Sequence, residues 1–103
     1  MKLKLDNNTT ISTNLIKDIA TQAGITACSK RIIVNINKRL NKRGLVQHCV
    51  KTHRIYIRSV NDLSALAHEL RHVAQWYDND SYLMQFKYFR ELDAQEFSKL
   101  YVK

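Results

Sequence analysis

The chain has 103 residues, 45% of them hydrophobic and 25% charged, with two glycines, two cysteines and no proline. That length supports one modest core, so a single domain over 1–103 is expected, and the composition excludes low-complexity, collagen-like and disulfide-scaffold proteins. Lys and Arg outnumber Asp and Glu by 17 to 9, a net charge of +8 that draws polyanions, and no apolar run is long enough to span a bilayer. The opening MKLKLDNNTT lacks the apolar stretch of a secretory signal, so the expected location is cytoplasmic, with no membrane partner. Cys28 and Cys49 lack CxxC spacing and read as buried or incidental thiols.

In STNLIKDIATQAG, Leu15, Ile16, Ile19 and Ala23 recur at helical spacing, Ser12 or Thr13 can cap the start, and Gly24 can end the helix. Two readings compete for the segment 28–60. In the first, the β-branched run Ile32, Ile33, Val34, Ile36 is a strand, 41–44 is a turn, and 45–50 with 54–60 form a hairpin turning at 51–53. In the second, 28–43 is a helix with Ile32, Ile36 and Leu40 on one side, and the chain then resembles a winged helix-turn-helix. The β-branched residues, poor helix formers, favour the three strands.

From Asn61 or Asp62, either of which can cap it, a helix carries Leu63, Leu66, Leu70, Val73 and Tyr77 in one apolar stripe. His68 and His72 lie about 150° from the centre of that stripe, away from the core. DNDS at 78–81 interrupts, and a last helix is expected from about Tyr82, with Phe86, Phe89, Leu92, Phe97 and Leu100 as its apolar positions.

Within LAHELRHVAQW, residues 66–76, His68 and His72 stand four apart and so share a helix face, where both imidazoles can bind one tetrahedral ion. Glu69 points toward the same cleft without being a ligand, which suits a base acting on activated water. A catalytic zinc site needs a third protein ligand and an open position. Glu91 in ELDAQEF fits best, on a helix able to fold back antiparallel, with small Ala94 permitting close approach and Phe97 anchoring in the core. Asp93, Glu96 and Asp78 are the alternatives, Asp93 better suited to supporting a ligating histidine.

LAHELRHVAQW followed by RELDAQEFS resembles the gluzincin-type zincin metallopeptidases, with their HExxH helix and downstream ExxA glutamate. More closely, it is similar to the minimal zincin-like proteins of phages and mobile elements, over roughly residues 30–100. The resemblance implies Zn2+ held by His68, His72 and Glu91, with Glu69 as general base in peptide-bond hydrolysis. It also implies an edge strand that aligns an extended peptide, here expected at 54–60. Gln95 stands where many gluzincins carry Asp, which puts one supporting contact in doubt unless Asp93 replaces it.

The expected protein is therefore an α+β minimal zincin-like domain: an N-terminal helix, a small three-stranded twisted sheet, the HExxH active-site helix and a C-terminal helix carrying the third ligand. Its expected partner is a peptide or protein substrate. The alternative is a non-catalytic zinc-stabilised binding or regulatory protein whose basic segment 30–58 meets nucleic acid. His48 and His53 read as surface or satisfied histidines, although both can line the cleft. Tyr82 and Tyr88 are possible oxyanion donors but ordinary aromatics by default, and Trp76 reads as a packing anchor. Substrate identity and oligomeric state are not encoded legibly.

Overall fold

The computed structural model describes residues 3–26, 28–78 and 85–102. In order these form β1 (Leu5–Asn7), α1 (Thr13–Gln22), β2 (Arg31–Ile36), β3 (Gly44–His48), β4 (Thr52–Ile57), α2 (Leu63–Trp76) and α3 (Lys87–Ser98), closing with a 3-10 turn over Lys99–Tyr101. Among the described residues the architecture is α+β, three α-helices and a four-stranded sheet, and no helix is long and apolar enough to cross a membrane.

α1 starts where the Ser12 hydroxyl accepts the Leu15 amide. It ends at Gly24, whose φ of 98° is a left-handed conformation that a Cβ would strain. The Gly24 and Ile25 amides bond back to the carbonyls of Thr21 and Ala20, closing the helix end.

The sheet order is β1-β2-β4-β3, with β1, β2 and β4 mutually parallel and β3 antiparallel to β4. β2 is extended, so the helical reading of 28–43 and its winged-helix consequence are overturned: the branched residues Ile32, Ile33, Val34 and Ile36 fit a pleat better than a helix. The hairpin turns through 49–51, two residues before the expected 51–53, because Thr52 and His53 already belong to β4; β3 begins at Gly44 and β4 ends at Ile57. The expected three strands become four, because β1 is too short to show any periodicity and exists through its pairing of Leu5, Asp6 and Asn7 with Ile32, Ile33 and Val34.

Alternation sorts the two faces. Ile32 and Val34 of β2 and His53, Ile55 and Ile57 of β4 are fully buried beneath Ile16, Ile19 and Ala20 of α1 and Leu66, Leu70 and Val73 of α2. Fully burying such a branched side chain contributes about 1.5–3 kcal/mol, which fixes α2 on the sheet with its histidine face outward. β4 lies inside the sheet, so the edge expected at 54–60 is wrong, and among the described residues the edge beside α2 belongs to β3.

α3 also departs from expectation. Its expected start near Tyr82 lies outside the described residues, and of its proposed apolar positions Phe86, Phe89, Leu92 and Leu100 are exposed while Phe97 packs against the core. Ala94 is fully buried, as a close approach of α3 to its neighbour requires.

Candidate metal centre

α2 begins at Asp62, whose carboxylate accepts the Ala65 amide at 3.1 Å and both arms of the Arg43 guanidinium at 2.6 and 2.7 Å. Hydrogen bonding from Arg43 holds the Asp62 carboxyl below its usual range. Since Arg43 directly precedes β3, this pair sets the first turn of α2 against the start of the edge strand.

One turn apart on α2, His68 and His72 bring their Nε2 atoms to 3.1 Å. Glu91, projecting from α3, straddles them with Oε2 3.2 Å from His68 Nε2 and Oε1 3.2 Å from His72 Nε2. A tetrahedral ion with ligands at about 2.0 Å has ligand–ligand edges of about 3.3 Å, so the three donors are spaced like one face of such a site. They can hold a metal ion. Burial, reinforced by His72, lowers the pKa of His68 and favours the neutral, coordinating imidazole.

The tautomer of His72 follows from its neighbour. Gln75 Nε2 donates to Asp93 Oδ2 at 2.8 Å and to the Arg90 carbonyl at 2.9 Å, so Gln75 Oε1 is the acceptor, 2.8 Å from His72 Nδ1. His72 Nδ1 therefore carries the proton, and its Nε2 lone pair faces His68 and Glu91. Asp93 is clamped by Arg71 at 2.7 and 3.1 Å, and Arg71 also donates to the Ala23 carbonyl at the end of α1. Burial opposes the charge of Asp93, but the bonds from Arg71 and Gln75 outweigh it and keep the carboxyl below its usual range. Asp93 thus supports the ligand pair through Gln75 rather than by touching a histidine.

Glu69 is only 7% exposed. A Cβ on Gly44 would stand 3.1 Å from Glu69 Cγ and 3.2 Å from its Oε2, so the edge strand approaches this carboxylate at the one residue without a side chain. Burial, then the charge of Glu91, push the Glu69 pKa up to about 7. A carboxyl poised there can both accept and return a proton near neutrality.

A cleft of about 490 Å³ covers these groups, with Gly44, Leu45, Val46 and His48 of β3 on one side and Lys87, Arg90 and Glu91 of α3 on the other. The remaining expected site residues scatter. Asp78 lines a separate cavity with Gly24 and Arg71, and Glu96 pairs with Lys99 at 2.8 Å. Tyr88 is 68% exposed, and Tyr82 lies outside the described residues.

Trp76, expected as a packing anchor, is 50% exposed and stacks on His48, with ring centroids 4.5 Å apart. His53 is fully buried and hydrogen-bonded on both nitrogens. Cys28 is buried and Cys49 half-buried, both free. In the basic segment Arg31 pairs with Asp6, Arg43 with Asp62, and Lys30 bonds to the Cys49 carbonyl, while Lys38, Arg39, Lys42, Lys51, Arg54 and Arg58 are exposed.

Sequence reasoning missed Gly44, read only as part of a turn, and Gln75. The signal for Gln75 was its position three residues after His72, on the same helix face. No protein-family model matches the chain, and no curated protein or solved structure is significantly similar to it.

Proposed function

We propose that the chain is a zinc-dependent metallopeptidase of the minimal zincin-like kind, hydrolysing peptide bonds. The observation that carries this reading is the convergence of His68, His72 and Glu91 to ligand spacing with buried Glu69 beside them in one open cleft. Two imidazoles and a carboxylate suit zinc. Bound there, zinc supplies Lewis acidity, polarising a carbonyl and making water acidic enough to lose a proton near neutral pH. Glu69 takes that proton and returns it to the departing amine. Among the described residues β3 is an edge strand of the sheet and lines the cleft, so an extended peptide can align along it.

The test begins with zinc content of protein prepared free of chelator, then turnover of a quenched-fluorescence peptide library. About one zinc per chain, lost in Glu91→Ala, is expected. Glu69→Gln is expected to keep the ion and lose turnover by about 100-fold or more. Equal turnover in that variant overturns the mechanism.

A second reading keeps the ion as a clasp between α2 and α3 and makes the protein a nucleic-acid binder. The observation favouring it is the sheet face turned away from the helices, where Arg31 of β2 and Arg54 of β4 are exposed. It predicts steeply salt-dependent affinity for duplex DNA and no peptide turnover. Undetectable DNA binding at low salt removes it.

A further inference from the structure

Beside the metal ligands lies a second polar chain that the proposed chemistry has not used. Tyr77 Oη sits 2.6 Å from His53 Nε2, and His53 Nδ1 sits 2.8 Å from His48 Nδ1. His53 is fully buried in β4, whereas His48, on the edge strand β3, is exposed and lines the cleft with His68, Glu69 and His72. The His48 ring is pinned flat on Trp76, at an interplanar angle of 18°, and edge-on to His53 at 4.9 Å.

The protons along this chain can be assigned in sequence. Cys28 Sγ lies 3.4 Å from the Tyr77 oxygen, and the 2.6 Å from that oxygen to His53 Nε2 is shorter than an N–H donor gives but ordinary for the phenol O–H. Its single proton is then directed to the short contact with His53 Nε2. Burial first, and then the charges of His48 and Lys30, push the His53 pKa down to about 4, so this imidazole is neutral. Accepting at Nε2, it carries its one proton on Nδ1 and donates to His48 Nδ1. His48 must then hold its own proton on Nε2, the ring atom that diverges from the buried bond.

We infer that His48 presents a tautomer-locked Nε2–H to the cleft, there to donate a hydrogen bond to the carbonyl oxygen of a bound peptide as negative charge develops on it. His48 is the catalytic residue in this arrangement, and His53 and Tyr77 are positioning residues that hold its tautomer and ring plane from the core. A donor fixed in advance stabilises an oxyanion without reorganising at the moment of reaction. The inference rests on the peptidase reading for its use, though not for the tautomers themselves.

Two measurements test it. Long-range proton–nitrogen correlation spectra of histidine-labelled protein are expected to show His53 protonated on Nδ1 and His48 on Nε2, and Tyr77→Phe is expected to release that preference. His53 protonated on Nε2, or His48 on Nδ1, overturns the inference whatever the protein hydrolyses. In the zinc-loaded protein, His48→Phe keeps the stacking surface and removes the donor, so kcat on the peptide library is expected to fall by about 100-fold with zinc content unchanged. His48→Gln restores a donor near the same place and is expected to recover part of the loss. An active wild type with an unaltered His48→Phe kcat overturns the oxyanion role alone. A zinc-loaded wild type that cleaves nothing overturns the peptidase reading and the oxyanion role with it, and the spectra still decide the tautomers.

Discussion

Gln75 Oε1 lies 2.8 Å from His72 Nδ1, and through that contact a neutral amide decides which nitrogen of His72 faces its fellow ligand. Replacing Gln75 by Ala leaves the three ligands in place but frees the His72 ring to rotate or change tautomer. Zinc affinity, followed by competition with a chromophoric chelator, is expected to weaken by about 10–100-fold while stoichiometry at saturation stays the same. Unchanged affinity would mean that packing alone orients the ring.

Gly44→Ala tests the contact between the edge strand and Glu69. The added methyl meets Glu69 at 3.1–3.2 Å and must displace the carboxylate or the strand. A stability loss of about 1–3 kcal/mol in denaturant titration is expected, together with a fall in turnover and an unaltered zinc content. Full turnover in this variant would show that the position of Glu69 is not critical.

Gly24→Ala places a Cβ on a residue at φ 98°. The left-handed penalty predicts destabilisation by about 1–2 kcal/mol. Arg71 Nη1, 3.5 Å from the ideal Cβ, is at ordinary contact distance, so the loss is conformational and not steric. A melting temperature equal to that of the wild type contradicts the assignment of the α1 terminus.

His53 makes stability depend on acidity. Its folded-state pKa is pushed down to about 4 by burial and by the neighbouring His48 and Lys30, against 6.5 for a free imidazole. The unfolded chain therefore binds more protons between those values, so the contribution is complete above pH 6.5 and is lost as pH falls toward 4. Thermal melts across that window are expected to show a falling midpoint in the wild type and a shallower slope in His53→Gln. Identical slopes would assign the acid sensitivity to other groups.

Much of the site was legible because its signals are local. The α2 stripe from Leu63 to Tyr77 put the histidines off the core side, and the same helical spacing made Glu91 and the small Ala94 a matched pair on α3. What escaped was non-local. Period-two alternation marks residues 54–60 as a strand but says nothing of its neighbours, and pairing with both β2 and β3 is what moves the edge among the described residues to 44–48. Three residues cannot display a pattern, so β1 was invisible. Phe86, Phe89 and Leu92 have helical spacing, yet α3 holds to α2 chiefly through Ala94, Asp93 and Glu91, leaving those apolar side chains exposed. Trp76 misled for the complementary reason: its partner is a cleft histidine rather than the core.

The largely polar docking of α3 would let an ion act as its latch. Of this helix only Ala94 and Ser98 are buried, and its hold on α2 runs through the Arg71–Asp93 pair, the bond from Gln75 to the Arg90 carbonyl, and Glu91. An ion at Glu91 would join two elements that apolar contact binds weakly, and its binding energy would enter as the closing energy of that latch. Occupancy and the hydrogen-exchange protection of α3 then rise and fall together, so the half-life of its amides becomes a readout of free metal concentration.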